Sequence, residues 1–272
     1  MQKMFKNEIF GEIEPPDNSG VNLIGAALPK NQDLYFISKW YELIDRYSTA
    51  RMFLNKTNEN NWDYWFNPQN DKEIQKALIA KFKSDLYETA LINYNIIVDL
   101  SWTITYVSAE YALYSFDKDN NITNADNICG MHPIEESYES LRKIENGVLS
   151  PHTKGNQFEY LKKISPEFSD SIDIVVEFWK SFSNSNIRNL YNFIKHKGKP
   201  LYKETKKIRK EKIYSILIGK ENYPSDIGDV QKIISLEEGI NELIEFDNSS
   251  LYPYIKKLLE ALNKAVNPSP WI

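Results

Sequence analysis

Apolar residues recur every three or four positions through most of this chain, a spacing that predicts helices rather than strands. Between Asp33 and Asn55, the residues Leu34, Ile37, Trp40, Tyr41, Ile44 and Tyr47 trace one helical face. Asn67-Pro68 breaks the pattern, because proline lacks a backbone donor and pushes the residue before it out of helical geometry. A long helix, or two joined end to end, is expected from Asp71 to Tyr114. Its segment from Ala90 to Leu113 is the most apolar of the chain, yet it contains Asn93, Asn95, Asp99 and Glu110. A bilayer disfavours that set, whereas a helix buried in a bundle can satisfy it. Asp99 and Glu110 are therefore expected to be hydrogen-bonded groups in a core.

Capping residues and prolines divide the rest. Helices are expected over Pro133–Glu145 and Asn156–Ile164, then from Ser165-Pro166 to Phe182. A hydroxyl before a first-turn proline is a start signal. The cluster Ser183-Asn-Ser-Asn186 opens the next helix, and Gly198 with Pro200 ends it. Ser235-Leu-Glu-Glu238 has the form of a capping box for a helix to Phe246, and a last helix covers Leu251–Val266. Residues 1–30 hold the turn cluster Glu14-Pro-Pro-Asp-Asn-Ser-Gly20 and are expected to be irregular. Within 201–230, Ile213–Ile218 fits a helix end or a short strand equally. The expected fold is all-α: an up-and-down helical bundle in one domain over 31–272, with an irregular segment over 1–30 and a basic loop or short β insertion near 201–230.

Composition narrows the setting. With 272 residues, 42% of them hydrophobic and 13% aromatic, the chain can bury its own core. Its single cysteine, Cys129, can form neither an internal disulfide nor a cysteine-based zinc site, which fits a reducing, cytoplasmic location. The first residues lack the apolar run of a signal peptide. The polar loop 115–132 places Asp117, Asp119 and Asn121 like the first ligands of a calcium loop. Ile122 and Ile128 stand where glycine and a bidentate glutamate are needed, so a solvated connector is expected there. His132 and His152, with His196, are the chain's histidines, and they sit on no metal-ligand spacing. No glycine-rich phosphate loop or Gly-x-Ser-x-Gly turn is present. Neither a metal nor a cofactor is expected.

The helix Asn186-Ile-Arg-Asn-Leu-Tyr-Asn-Phe-Ile-Lys-His196 carries the candidate chemistry. At about 100° per residue, Arg188, Asn192 and His196 are each offset by about 40° from the next, so they share one broad face. Asn189 and His196 align within about 20° by the same arithmetic. Leu190, Phe193 and Ile194 supply an apolar side. Cleaving RNA through its own 2′-hydroxyl requires a proton acceptor, a proton donor and a cation for the charge on phosphorus. Histidine moves protons near neutrality, and arginine grips phosphate through paired hydrogen bonds. A satisfied helix C-terminus is the plainer alternative for His196, since a cation there gains roughly 0.3–1 kcal/mol from the helix dipole.

Charge adds weight to this helix. Lys195 to Lys212 holds nine Lys or Arg and two Glu, a segment charge of +7; the whole chain is −5, so the remainder is −12. A polyanion is drawn to this segment and repelled elsewhere. Tyr191, Tyr202 and Tyr214 are placed to stack on bases.

The residues Arg188-Asn-Leu-Tyr-Asn-Phe-Ile-Lys-His196 resemble the active-site helix of HEPN-type domains, the helical family named for higher eukaryotes and prokaryotes. Tyr223-Pro-Ser-Asp-Ile-Gly-Asp-Val-Gln-Lys232, Ser235-Leu-Glu-Glu238 and Phe246-Asp247 are similar to a bacterial branch of it. One common family form is Arg-Asn-x-x-Lys-His. Asn192, Lys195 and His196 fit it, but Tyr191 occupies the arginine position and Arg188-Asn189 lies one turn earlier. Either Arg188 substitutes from there, or catalysis is lost and the scaffold kept. The resemblance implies metal-independent RNA cleavage to a cyclic phosphate at a site formed across a homodimer through this helix. Arg188, Asn192 and His196 would be catalytic, with Asn189, Lys195, Lys197 and Lys199 guiding RNA. It further implies a toxin or antiviral effector with a protein antitoxin or inhibitor as possible partner. The alternatives are an inactive module binding RNA or protein, and a helical interaction protein with an incidental basic loop.

Overall fold

The computed structural model describes residues 4–9, 12–14, 31–62, 72–114, 159, 161–163, 165–205 and 232–266. The fold is all-α. The described helices are α1 (Asn31–Thr57), α2 (Lys72–Tyr114), α3 (Ser169–Phe182), α4 (Asn186–Lys197), α5 (Leu236–Phe246) and α6 (Tyr252–Val266). These bounds follow the periodicity and capping signals closely. A 3-10 turn, Pro166–Phe168, leads into α3, and a π-helical turn, Asp247–Leu251, joins α5 to α6. The β insertion expected near 201–230 is present as two short strands, β1 (Leu201–Tyr202) and β2 (Ile233–Ile234). They pair in parallel, Leu201 opposite Ile233 and Tyr202 opposite Ile234. Residues 4–9 and 12–14 form neither helix nor strand, as expected of the N-terminal segment.

Several sequence expectations fall outside the described residues: the Asn67-Pro68 break, the loop 115–132, the helix over 133–145, most of 156–164, Ile213–Ile218, and Cys129, His132 and His152. No described helix is long and apolar enough to cross a membrane.

The chain packs as two compact units, and α1 and α2 contribute residues to both. One unit comprises Asn7–Arg46, Ile96–Ser183 and Leu251–Ile272. In it, α3 lies against α6: the Phe178 and Tyr254 rings stack at 3.8 Å, and the Tyr254 hydroxyl meets Ser101 Oγ of α2 at 2.7 Å. Burial pushes that phenol's pKa up. Trp102 packs on Trp179, and Ser165 Oγ donates to the Ala109 carbonyl at 2.9 Å. Trp40 Nε1 donates to the Ile13 carbonyl at 2.8 Å, tying the irregular N-terminal segment to α1. The buried face of α1 includes Phe36, Trp40, Leu43 and Ile44. Tyr41, expected on that face, is exposed, because the stripe runs through Leu43 instead. Asp99, expected in a core, is half-buried.

The other unit comprises Met1–Lys6, Tyr47–Asn95 and Asn184–Ser250 and carries α4. Its centre is a buried ionic cluster around Asp247, the first residue of the π-helical turn. The carboxylate accepts from Tyr47 Oη (2.9 Å), from Arg51 Nε (3.0 Å) and Nη2 (2.5 Å), and from Tyr94 Oη (2.5 Å). Arg51 also donates to Tyr47 Oη at 3.3 Å, and its guanidinium lies between the Phe5 and Tyr47 rings. Phe5 is held in place by Asn248, whose side chain accepts from the Lys6 amide (2.9 Å) and donates to the Met4 carbonyl (2.8 Å). Burial first, and then the negative charge of Asp247, raise the Tyr47 and Tyr94 phenols well above the usual tyrosine range.

A close crossing sets α5 against α2. A Cβ at Gly239 would stand 2.7 Å from Tyr87 Oη and 2.9 Å from its Cζ, so only glycine lets the helix and the ring meet. The N-terminus of α5 is capped twice. Ser235 Oγ accepts from the Glu238 amide at 3.3 Å, as the capping-box pattern predicts. The Glu204 carboxylate, from the 3-10 turn after β1, accepts from the Leu236 amide at 3.0 and 3.1 Å. A carboxylate there also meets the positive end of the helix dipole.

Candidate functional site

The helix α4 is defined by its ends. Ser185 is its N-cap, extended at φ −70° and ψ 155°, and its hydroxyl accepts from the Arg188 amide at 3.1 Å. Gly198 closes it at φ 98°, a left-handed conformation that favours glycine. Between these ends the helix is two-sided. Ile187 and Leu190 are buried and Phe193 and Ile194 half-buried, which anchors one side. Asn189, Asn192, Lys195, His196 and Lys197 are exposed on the other.

Arg188 is placed differently from the rest of the candidate set. It is half-buried, and its Nη1 donates to Asn95 Oδ1 of α2 at 3.1 Å. Its guanidinium carbon lies 5.1 Å from the centre of the Tyr191 ring, and Lys195 Nζ lies 6.0 Å from the same ring. Tyr191 stands where the family form has arginine, and here its π-system is shared by two cations. His196 follows Arg188 by two turns, an axial rise of about 12 Å. Arg188, Asn192 and His196 thus share one helix within a single chain, with Asn192 and His196 exposed and the Arg188 tip held against α2.

The basic residues divide into two groups. Lys195 and Lys197 are exposed in the last turn of α4, where cations complement the dipole. Lys199 turns back onto α2, pairing with Asp85 and with Glu88 at 3.1 Å. Its charge is therefore matched by two carboxylates, unlike that of a lysine extended toward a polyanion. Burial raises the Asp85 pKa, but hydrogen bonds from Lys199 and Lys81 outweigh this and leave it lowered. Beyond Thr205 the basic segment lies outside the described residues.

Of the three tyrosines expected to stack on bases, Tyr202 is part of the core. It is buried, donates to Glu88 at 2.7 Å and packs edge-on against Tyr87. Burial, then the Glu88 hydrogen bond, raise its phenol pKa. Its position in β1 explains this, since both strand residues are buried. Tyr191 is half-buried, and Tyr214 lies outside the described residues.

Sequence reasoning missed Asn95 and Asp247. Asn95 sits in the apolar stretch of α2 as one polar residue among several. A polar side chain on the buried face of a long apolar helix is the signal that could have singled it out. No protein-family model, no curated protein and no solved structure matches this chain.

Proposed function

We propose that this chain is a metal-independent RNA endonuclease of HEPN type that works through α4. The observation that carries the reading is the division of labour along one helix. Arg188 is fixed by Asn95, while Asn192 and His196 are exposed on the same helix one and two turns on. A cation held in place suits phosphate, and an exposed imidazole suits proton transfer.

In the reaction, an imidazole takes the proton of the RNA 2′-hydroxyl and the 2′-oxygen bonds to the adjacent phosphorus. The bond from phosphorus to the 5′-oxygen breaks, and that oxygen receives a proton from an imidazolium. The products are a 2′,3′-cyclic phosphate and a 5′-hydroxyl. Arg188 offsets the charge that builds on the phosphoryl oxygens, and Asn192 orients the imidazole or the phosphate. Two copies meeting through α4 would supply both the accepting and the donating histidine. Asn189, Lys195 and Lys197 guide the RNA, and Lys199 braces α4 against α2. A toxin or antiviral effector, restrained by a protein inhibitor, is the role such an enzyme would serve.

A second reading is favoured by Tyr191. With a tyrosine in the arginine position and Arg188 tied to α2, the helix suits an inactive module that binds RNA or a protein partner. Incubation of the purified protein with mixed cellular RNA in EDTA separates the two. Cutting that His196→Ala abolishes supports the enzyme. Binding that weakens steeply with salt, without cutting, supports the module. Neither cutting nor binding refutes both RNA readings.

A further inference from the structure

We propose that Asn95 is the positioning residue for Arg188, an uncharged anchor that aims the guanidinium at an RNA phosphate; this rests on the reading of α4 as an RNA-binding face. Asn95 is fully buried on α2. Its Nδ2 donates to the Leu91 carbonyl one turn earlier at 2.9 Å, and its Oδ1 accepts from Arg188 Nη1 at 3.1 Å. The two neighbours dictate the same orientation of the amide. A backbone carbonyl only accepts, so it must face the amide nitrogen. A guanidinium only donates, so it must face the amide oxygen. The amide cannot flip without losing both bonds, and Arg188 is held from a fixed point rather than from a mobile side chain.

The other arginine anchored in this unit provides the contrast. Arg51 is gripped by a carboxylate, Asp247, through two N–H groups, and is buried with it. That arrangement matches charge with charge and leaves nothing for a ligand. Arg188 is half-exposed, and its anchor on α2 is an amide, which fixes direction without placing a negative charge where a phosphate must approach. The Tyr191 ring bounds the guanidinium further. A positioning contact of this kind lowers the ordering cost of gripping phosphate.

The test is a double-mutant cycle read by RNA affinity. The probe is a fluorescein-labelled 2′-O-methyl oligoribonucleotide, which lacks the nucleophile and cannot be cut. Wild type, Asn95→Ala, Arg188→Ala and the double variant are titrated at low salt by anisotropy, with thermal melting to establish that each is folded. Asn95→Ala is expected to weaken binding about three- to tenfold, the loss of roughly one hydrogen bond. It should have no further effect in the Arg188→Ala background, because Asn95 acts only through Arg188. Asn95→Asp provides a second variant: it keeps the acceptor but adds a charge, and should weaken binding although Arg188 remains anchored. With cleavable RNA, Asn95→Ala should lower kcat more than it raises KM. Equal weakening by Asn95→Ala in both backgrounds, or wild-type binding by both Asn95 variants, would overturn the proposal. A wild-type protein that neither binds nor cuts RNA would instead refute the RNA reading itself, and this inference with it.

Discussion

Replacing Asp247 by Asn removes one charge from the buried cluster and leaves its outline unchanged. The carboxylate accepts four hydrogen bonds, two on each oxygen: Tyr47 Oη and Arg51 Nη2 on Oδ1, Tyr94 Oη and Arg51 Nε on Oδ2. An asparagine amide has one oxygen and one NH2. Whichever way it turns, its NH2 faces one tyrosine hydroxyl and one guanidinium N–H. The hydroxyl can rotate to accept, but arginine has no acceptor, so one buried N–H···H–N contact is unavoidable. The Arg51 side chain is only 8% exposed and the Asp247 side chain 0%, so water cannot replace the lost partner. Removing one member of such a pair costs about 3–5 kcal/mol, a large part of a typical net stability of roughly 5–15 kcal/mol. For a chain of this size the melting midpoint should fall by roughly 6–15 °C. Thermal and urea unfolding followed by far-ultraviolet circular dichroism measure it. The cycle with Arg51→Met should show strong coupling, the double variant being much less destabilised than the sum of the singles. A loss below about 1 kcal/mol for Asp247→Asn, or simple additivity with Arg51→Met, would refute the view that this cluster holds its unit together.

That cluster was the least legible part of the sequence. Arg51 stands 196 positions from Asp247. Locally, Arg51 looks like one more polar residue on a helix, and Phe246-Asp247-Asn-Ser-Ser looks like a polar break. Neither has a periodic partner, because the pairing is tertiary. The Glu204 cap and the Gly239 crossing were hidden for the same reason: each depends on a residue brought from a distant part of the chain. Helix bounds were legible because their causes are local. Ser185 and Ser235 cap as their positions suggest, and Gly198 stops α4 at positive φ. The row Arg188, Asn192 and His196 was legible on a helix, but the tertiary fates of Arg188, Lys199 and Tyr202 were not. Two of these three are drawn to carboxylates of α2 and the third to its amide.

Other perturbations test separate parts of the account. Gly239→Ala should destabilise the protein by roughly 1–3 kcal/mol in urea titration, although alanine is the better helix former by about 1 kcal/mol; a stabilised variant would show that α5 does not approach Tyr87 so closely. Tyr47, Tyr94, Tyr87, Tyr202 and Tyr254 all have raised pKa values, each chiefly through burial. The folded state therefore keeps protons that the unfolded chain releases above about pH 10, so stability is intact below that pH and falls above it, by up to about 1.4 kcal/mol per pH unit for each tyrosine. Urea midpoints that stay constant from about pH 9 to about pH 11.5 would contradict this. Glu204→Gln weakens the charged cap of α5 and should cost about 0.5–1 kcal/mol, reduced further at low pH in neither variant more than the other if the cap is not electrostatic.

The central claim is that α4 cuts RNA, and the most direct measurement is end-group analysis of RNA incubated with the wild-type protein and with His196→Ala in EDTA. The account predicts fragments ending in 2′,3′-cyclic phosphate and 5′-hydroxyl from the wild type and none from the variant. Equal cutting by both, or intact RNA with both, would contradict it.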